Sequence, residues 1–255
     1  MLRNDVTCVV PARLGSTRFP RKLLQPLLGK PVVVHALERA AEAGCFAEVV
    51  CFTDSPEIGN AVAEHGFRFV LTGEAANGTD RIGRNLDAIK TGLVVNLQGD
   101  EPAFPVRGLR DLCRALQRNP EWVHTLVHEK EPGDMELENP NRVKAVLDAH
   151  GFVLDFHRDG WPVGATHGLP LQATINACRV HLGAYGYSEN FLRRYAAAPI
   201  SGRETGMSHE LLRDFNLAPI RAHASSPGSP VDAPADLVSA LERLEILLAP
   251  QGVLT

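Results

Sequence analysis

Apolar runs and helix-spaced segments alternate through the first half of the chain. Val6–Val10, Glu48–Phe52, Phe67–Leu71 and Leu93–Leu97 are short and mostly apolar, the pattern of strands covered on both faces. Between them, Val32–Ala43 has apolar residues at 33, 34, 37, 40 and 41, a helical spacing. Pro56–His65 reads as a helix with Ser55 as N-cap and Pro56 at its first position, and Thr79–Ile89 as a third helix. This alternation predicts βαβ units and an α/β fold built on a mainly parallel, Rossmann-like sheet. Ligands bind such sheets at the carboxyl ends of the strands, so the loops at 11–22, 53–55, 72–79 and 98–102 are expected on one rim.

The second half has a different rhythm. Arg142–Leu147 and Phe152–His157, joined by Asp148-Ala-His-Gly151, predict a hairpin, and the Gly-, Pro- and Thr-rich stretch Asp159–Cys178 predicts a mobile loop. A strand near His181–Tyr187, helices over Glu189–Ala197 and near Ser208–Phe215, a strand near Ile220–Ala224 and a final helix, Ala235–Leu247, follow. With no internal repeat, residues 1–255 read as a single domain, and residues from about 120 to 200 as an excursion inserted into its α/β frame.

Composition narrows the setting. The 255 residues suffice for a substantial core, and a formal net charge of −4 gives no general electrostatic drive toward nucleic acid. The five cysteines are scattered without a Cys-x-x-Cys pair, which predicts reduced thiols and a cytoplasmic location; Cys8 and Cys51 fall in apolar runs, where packing is their expected role. No run reaches the ~18 apolar residues of a membrane span. The start, Met-Leu-Arg-Asn-Asp, lacks a signal-peptide layout, so no membrane insertion is expected.

The first strand opens into Pro11-Ala-Arg-Leu-Gly-Ser-Thr-Arg-Phe-Pro-Arg-Lys22, a loop with one glycine, two hydroxyls and the cations Arg13, Arg18, Arg21 and Lys22. Backbone N–H groups, a hydroxyl and fixed cations suit a triphosphate. The Gly-Lys-Ser/Thr order of a Walker loop is absent, and Pro20 and Pro26 argue against an immediate helix. A solvated basic loop is the alternative for this stretch alone. Gln98-Gly-Asp-Glu-Pro102 follows the fourth strand on the same rim and places Asp100 where a Mg²⁺–phosphate site would lie, with Gln98 able to meet a base edge; a simple turn is the other reading. Asp232, in Val231-Asp-Ala-Pro-Ala-Asp236, is either a second metal carboxylate or a turn or capping residue. Asn77-Gly-Thr-Asp-Arg81 either approaches a base or ribose or simply caps a helix. In His181-Leu-Gly-Ala-Tyr-Gly-Tyr187 the glycines leave space beside His181 and Tyr185, which share one face. Neither a metal-binding His cluster nor a Ser/His/Asp set is readable.

Taken in order, GSTRFPRK, NGTDR, QGDEP, NPNRVKAVLD, FHR, HLGAYGY and VDAPADL resemble the 3-deoxy-manno-octulosonate (Kdo) cytidylyltransferase family from Val6 to about Leu247. The resemblance implies a nucleotide-diphospho-sugar transferase-like fold and a homodimer formed through the second half. It also implies transfer of CMP from CTP to Kdo with release of pyrophosphate, Mg²⁺ as cofactor, and a place in lipopolysaccharide biosynthesis. Carried onto this chain, it implies Arg13, Leu14, Gly15, Ser16, Arg18 and Lys22 around the triphosphate, with Thr53, Asn77, Gly78, Thr79, Arg81, Gln98 and Gly99 completing the nucleotide site. Arg13, Lys22 and Asp100 are the implied catalytic residues. Asp100 and Asp232 would hold the metal, and Gln98, Arg158, His181, Tyr185 and Glu210 would line the sugar-acid pocket. The chain departs from the family mainly on the acceptor side. Where the family has Glu-x-x-Glu-x-x-Glu-x-x-Arg, this chain has Glu204, Met207, Glu210 and Arg213; Phe-Ser-Arg is Phe156-His157-Arg158, and Arg21 replaces a common Gly. CTP use is therefore expected more firmly than Kdo itself. An 8-amino-Kdo-like sugar, another ulosonic acid, or a specialised carboxylate or phosphonate is the alternative acceptor, and a non-catalytic nucleotide-binding regulatory homologue the alternative class.

Overall fold

The computed structural model describes residues 5–16, 18–128, 139, 141–158, 178–200, 202–207, 209–210, 213 and 217–249. Within them a nine-stranded sheet runs in the order β11-β7-β10-β6-β1-β4-β5, with β8 and β9 extending it from β10. The strands are β1 (Val6–Ala12), β4 (Glu48–Thr53), β5 (Arg68–Leu71), β6 (Leu93–Leu97), β7 (Val123–His128), β8 (Lys144–Leu147), β9 (Val153–His157), β10 (Cys178–Ser188) and β11 (Ile220–Ser225). A small β2–β3 hairpin pairs Pro26–Leu27 with Lys30–Pro31.

The apolar runs place the sheet's centre. β1 is buried along its whole length and pairs in parallel with β4 on one side and β6 on the other. Chain order reverses direction there, which opens a crevice beyond the carboxyl ends of β1 and β6. The sheet is mixed: β10 lies antiparallel between β6 and β7, while β11 runs parallel to β7. Because β10 enters from the carboxyl end of β6, with Ala184 opposite Leu97, its first residues reach the same rim.

Helices cover the sheet where the sequence marks their ends. α1 (Val32–Ala43) buries its apolar stripe and stops at Gly44, which adopts a left-handed φ of 63°. α2 (Pro56–Glu64) starts with the Ser55 hydroxyl accepting the Ile58 N–H at 3.4 Å. The expected helix over Thr79–Ile89 is broken. α3 (Gly78–Gly83) ends and a 3-10 turn, Leu86–Ala88, follows, with the Asn85 side chain bonded to the Arg81 carbonyl. α4 (Val106–Arg118) and β7 are elements outside the expected set. The expected hairpin forms as β8–β9, and α5 (Glu189–Ala197) and α7 (Asp236–Leu248) match their predicted positions closely. α6 spans Gly202–Met207, just before the predicted Ser208–Phe215 helix, of which only 209, 210 and 213 are described. Residues 159–177 of the predicted mobile loop lie outside the described residues, and Cys178 opens β10.

The core has two main parts, one under α1 and α4 and one lined by β7–β11, α3 and α5. Cys8 and Cys51 are buried in it, and burial raises both thiols, Cys51 to about 12, which keeps them protonated packing groups. No helix among the described residues is long and apolar enough to cross a membrane.

Candidate active site

A cavity of about 850 Å³ opens at the β1/β6 crevice. Its lining gathers Arg13, Arg18 and Lys22 from the loop after β1, and Asn77, Gly78 and Arg81 from the start of α3. Gln98, Asp100 and Glu101 join them from the loop after β6, as do Arg158, His181, Tyr185, Glu210 and Asp232. Three of the four loops expected on one rim thus line it. The 53–55 loop joins through Asp54, which holds the buried Arg81 guanidinium at 2.6 Å. Leu14, Gly15, Ser16, Thr53, Thr79 and Gly99 do not line the cavity. Thr53 turns inward and accepts the Ser55 N–H at 3.1 Å. Gly99 lies against β1, where a Cβ would come within 3.1 Å of the Pro11 carbonyl oxygen.

The basic loop meets the carboxylates directly. Lys22 Nζ lies 2.5 Å from Asp100 and 3.6 Å from Asp232, and Arg18 lies 3.1 Å from Asp232 and bonds Asn141. Asp232 is not the capping group of its turn: the Asp236 carboxylate accepts the N–H groups of Asp232 and Ala233, both at 2.8 Å. The Val231 N–H donates to the Asp100 carbonyl at 2.8 Å, tying this turn to the loop after β6. Glu101, which the sequence reading left unassigned, is buried beside them. One oxygen accepts the Gly183 N–H at 3.3 Å and the other has no partner among the described residues. Burial, reinforced by Asp100, pushes its carboxyl up to about 8.

On the α3 side the side chains are built into a network. Asn77 caps α3 by accepting the Asp80 N–H at 2.8 Å, and its amide donates to Glu204 at 2.7 Å and to the Tyr195 hydroxyl at 3.0 Å. Arg213 grips Glu204 at 2.7 and 2.6 Å, and its guanidinium lies 4.1 Å from the centre of the Tyr195 ring. Glu210 accepts from Gln98 Nε2 at 2.9 Å and from the Thr79 N–H at 2.8 Å; the Thr79 hydroxyl is spent on Tyr187, 2.7 Å away. Glu204, Glu210 and Arg213 of the late acidic motif therefore hold the rim in place. A Cβ at Gly78 would come within 2.9 Å of the Pro11 ring and 3.2 Å of Gln98 Nε2, so glycine lets these loops touch.

The opposite wall is aromatic. His181 and Tyr185 stack with ring centres 5.3 Å apart, and His181 Nε2 pairs with the Thr125 hydroxyl at 2.8 Å. Burial, aided by Arg158, lowers His181 to about 3, so it is neutral at pH 7. Arg158 donates to the Asn141 carbonyl at 3.0 Å. The buried Lys144 donates to the carbonyls of Asn139 and Arg158, at 2.8 and 2.6 Å, and so fixes the backbone that carries Arg158. Lys144 stands inside NPNRVKAVLD, a signal that could have marked it; Thr125 and His209 carried none.

The family profile described as cytidylyltransferase matches residues 7–219. A 3-deoxy-manno-octulosonate cytidylyltransferase from Polynucleobacter necessarius subsp. necessarius (strain STIR1) is 38% identical over 252 residues, covering 96% of each chain. One of the same name from Leptothrix cholodnii (strain ATCC 51168 / LMG 8142 / SP-6) is 41% identical over 247 residues, 91% of this chain and 88% of its own. Among solved structures, a CMP:2-keto-3-deoxy-manno-octonic acid synthetase complexed with CTP superposes with a TM-score of 0.82 at 31% identity, covering 95% of this chain and 99% of its own. The fold, the basic loop set against paired carboxylates and these likenesses agree, and the chain belongs to the cytidylyltransferase family, alongside the 3-deoxy-manno-octulosonate cytidylyltransferases.

Proposed function

We propose that this cytidylyltransferase moves CMP from CTP to the anomeric hydroxyl of Kdo or a close ulosonic acid, releasing pyrophosphate. The observation that carries the reading is the meeting of Lys22 with Asp100 and Asp232 at the β1/β6 crevice, beneath the Arg13–Arg18 loop. Arg13, Arg18 and Lys22 supply positive charge for the triphosphate and for the charge that grows on the leaving pyrophosphate. Gln98, held by Glu210, keeps a fixed amide for the base edge, and Asn77, Gly78 and Arg81 border the nucleoside. Arg158, His181 and Tyr185 face the acceptor. The acceptor oxygen forms a bond to the α-phosphorus, the bond to the β-phosphate oxygen breaks, and the hydroxyl proton is released to solvent.

The donor set fits Mg²⁺. Asp100 and Asp232 already converge on one cation, Lys22 Nζ, and the buried Glu101 carboxyl lies beside them with one oxygen unpartnered among the described residues. Two carboxylates plus phosphate oxygens and water satisfy an ion that rarely takes a full protein cage. Among the described residues no cluster of three or more His, Cys, Asp or Glu side chains forms a denser metal site. When bound by Asp100 and Asp232, Mg²⁺ would polarise the α-phosphate and lower the pKa of the attacking hydroxyl. The family resemblance supports a homodimer through the second half and a cytoplasmic setting as parts of the same proposal. The change at Met207 favours a modified ulosonic acid as the second acceptor reading.

Identification of the product by mass and phosphorus NMR tests the reaction. CMP linked through the anomeric oxygen of the sugar acid is expected, formed one for one with pyrophosphate. Pyrophosphate formed without a CMP–sugar product would contradict it.

A further inference from the structure

His209 lines the acceptor side of the cavity and is only 5% exposed. Its ring is held edge-on against Phe156, with centres 4.4 Å apart, and against His181, with centres 5.1 Å apart. His181 spends its Nε2 on Thr125, whereas His209 Nε2 has no hydrogen-bond partner among the described residues. Folded proteins rarely keep a buried polar nitrogen unsatisfied without a use for it. The ring packing holds the imidazole in place with its Nε2 buried, and Arg158 and Gln98 line the same cavity.

We propose that His209 is an acceptor-specificity residue whose unpartnered ring nitrogen hydrogen-bonds a hydroxyl of the bound sugar acid. This rests on the cytidylyltransferase reading of the cavity. A hydroxyl both donates and accepts, so it satisfies the nitrogen in either neutral tautomer. Burial, with His181 and Arg158 beside it, drives the imidazole well below its usual range, so it is uncharged at pH 7. A neutral ring here adds discrimination by hydroxyl position without adding charge to a pocket that already holds the Arg158 guanidinium.

The test measures kcat/KM for CTP and for the sugar acid separately in wild type, His209→Phe and His209→Gln, using the acid and a series of its singly deoxygenated analogues. The expected result is a loss of about tenfold in acceptor kcat/KM for His209→Phe, with KM for CTP unchanged and partial recovery in His209→Gln. Removing one particular hydroxyl should weaken the wild type and leave His209→Phe no worse. An unaltered acceptor preference in both variants, equal sensitivity to every deoxygenation, or a parallel rise in KM for CTP would overturn the proposal. If His209→Phe does not fold, as a thermal melt will show, the same comparison on His209→Gln decides. Failure of the wild type to use any sugar acid with CTP would instead remove the acceptor reading, and this inference with it.

Discussion

Arg21 shows how much one residue's backbone can carry. The family commonly has Gly at this position, and here the arginine sits at φ 57° and ψ 28°, in the left-handed region. An L-residue there is disfavoured by about 1–2 kcal/mol, while glycine adopts it freely. The Arg21 side chain pairs with Glu57, but both are about half exposed, and such pairs contribute little. Arg21→Gly is therefore expected to raise stability by about 0.5–1 kcal/mol in urea denaturation, the relief of strain being partly offset by the freer unfolded chain. A lower urea midpoint would contradict this. At this scale the sequence was legible where charge and motif coincide: Lys22 and Asp100 meet on the rim where their loops were expected, while Asp232, open between a metal carboxylate and a cap by its residues alone, joins them as the family resemblance implied. It was silent where a role depends on what surrounds a side chain. Glu101 acquires its character from burial beside Asp100, and His209 from the ring packing around a buried nitrogen that has no partner among the described residues.

The elements of the first half show through because continuous apolar strands and helix-spaced stripes leave an imprint on the chain. α4 and β7 were not among the expected elements, for different reasons. In α4 the buried Leu109, Leu112, Cys113 and Leu116 recur at i, i+3, i+4 and i+7 between Arg107, Arg110, Asp111 and Arg114, an amphipathic stripe that was legible in the sequence. β7 carries His124, Thr125 and His128 in an interior strand; the first two are accommodated because His124 bonds His223 at 2.9 Å and Thr125 bonds His181 at 2.8 Å. Only tertiary pairing makes that segment a core strand. The end of α3 lies against α5. A Cβ at Gly83 would meet the Leu192 carbonyl at 2.8 Å and the Ala196 methyl at 3.0 Å, so α3 and α5 touch nearly backbone to backbone. Gly83→Ala is expected to destabilise the protein by about 1–3 kcal/mol, read as a lower urea midpoint at unchanged m-value. A stability equal to wild type would mean that the helices separate easily. Because α3 positions Asn77 and Gly78, the same variant should raise KM for CTP.

Across the whole molecule, buried ionisable groups pull stability in opposite directions with pH. His181 is lowered to about 3 and His223 to about 4, each chiefly by burial, and His209 is lowered as well. Depressed folded values mean that the unfolded chain takes up protons first, so stability is full above about 6.5 and falls as pH drops toward 4 and below. Glu101 acts oppositely. Its folded value is raised from 4.5 to about 8, so the favourable contribution present at low pH is lost as pH rises through that window. Metal-free Glu101→Gln should therefore lose less stability than wild type between pH 5 and pH 8.5; identical pH profiles would show that Glu101 is not the group responsible. The central claim concerns the rim where the loops after β1 and β6 meet Asp232, proposed as the site of cytidylyl transfer to a sugar acid. Its most direct test is pyrophosphate release with Mg²⁺, pairing each of the four ribonucleoside triphosphates with Kdo and a panel of other ulosonic acids and phosphonates, in wild type and Asp100→Asn. The expected result is release with CTP and an ulosonic acid, and a fall of at least about 100-fold in Asp100→Asn with its melting temperature nearly unchanged. No release with CTP and any acceptor, or undiminished turnover in Asp100→Asn, would contradict the account.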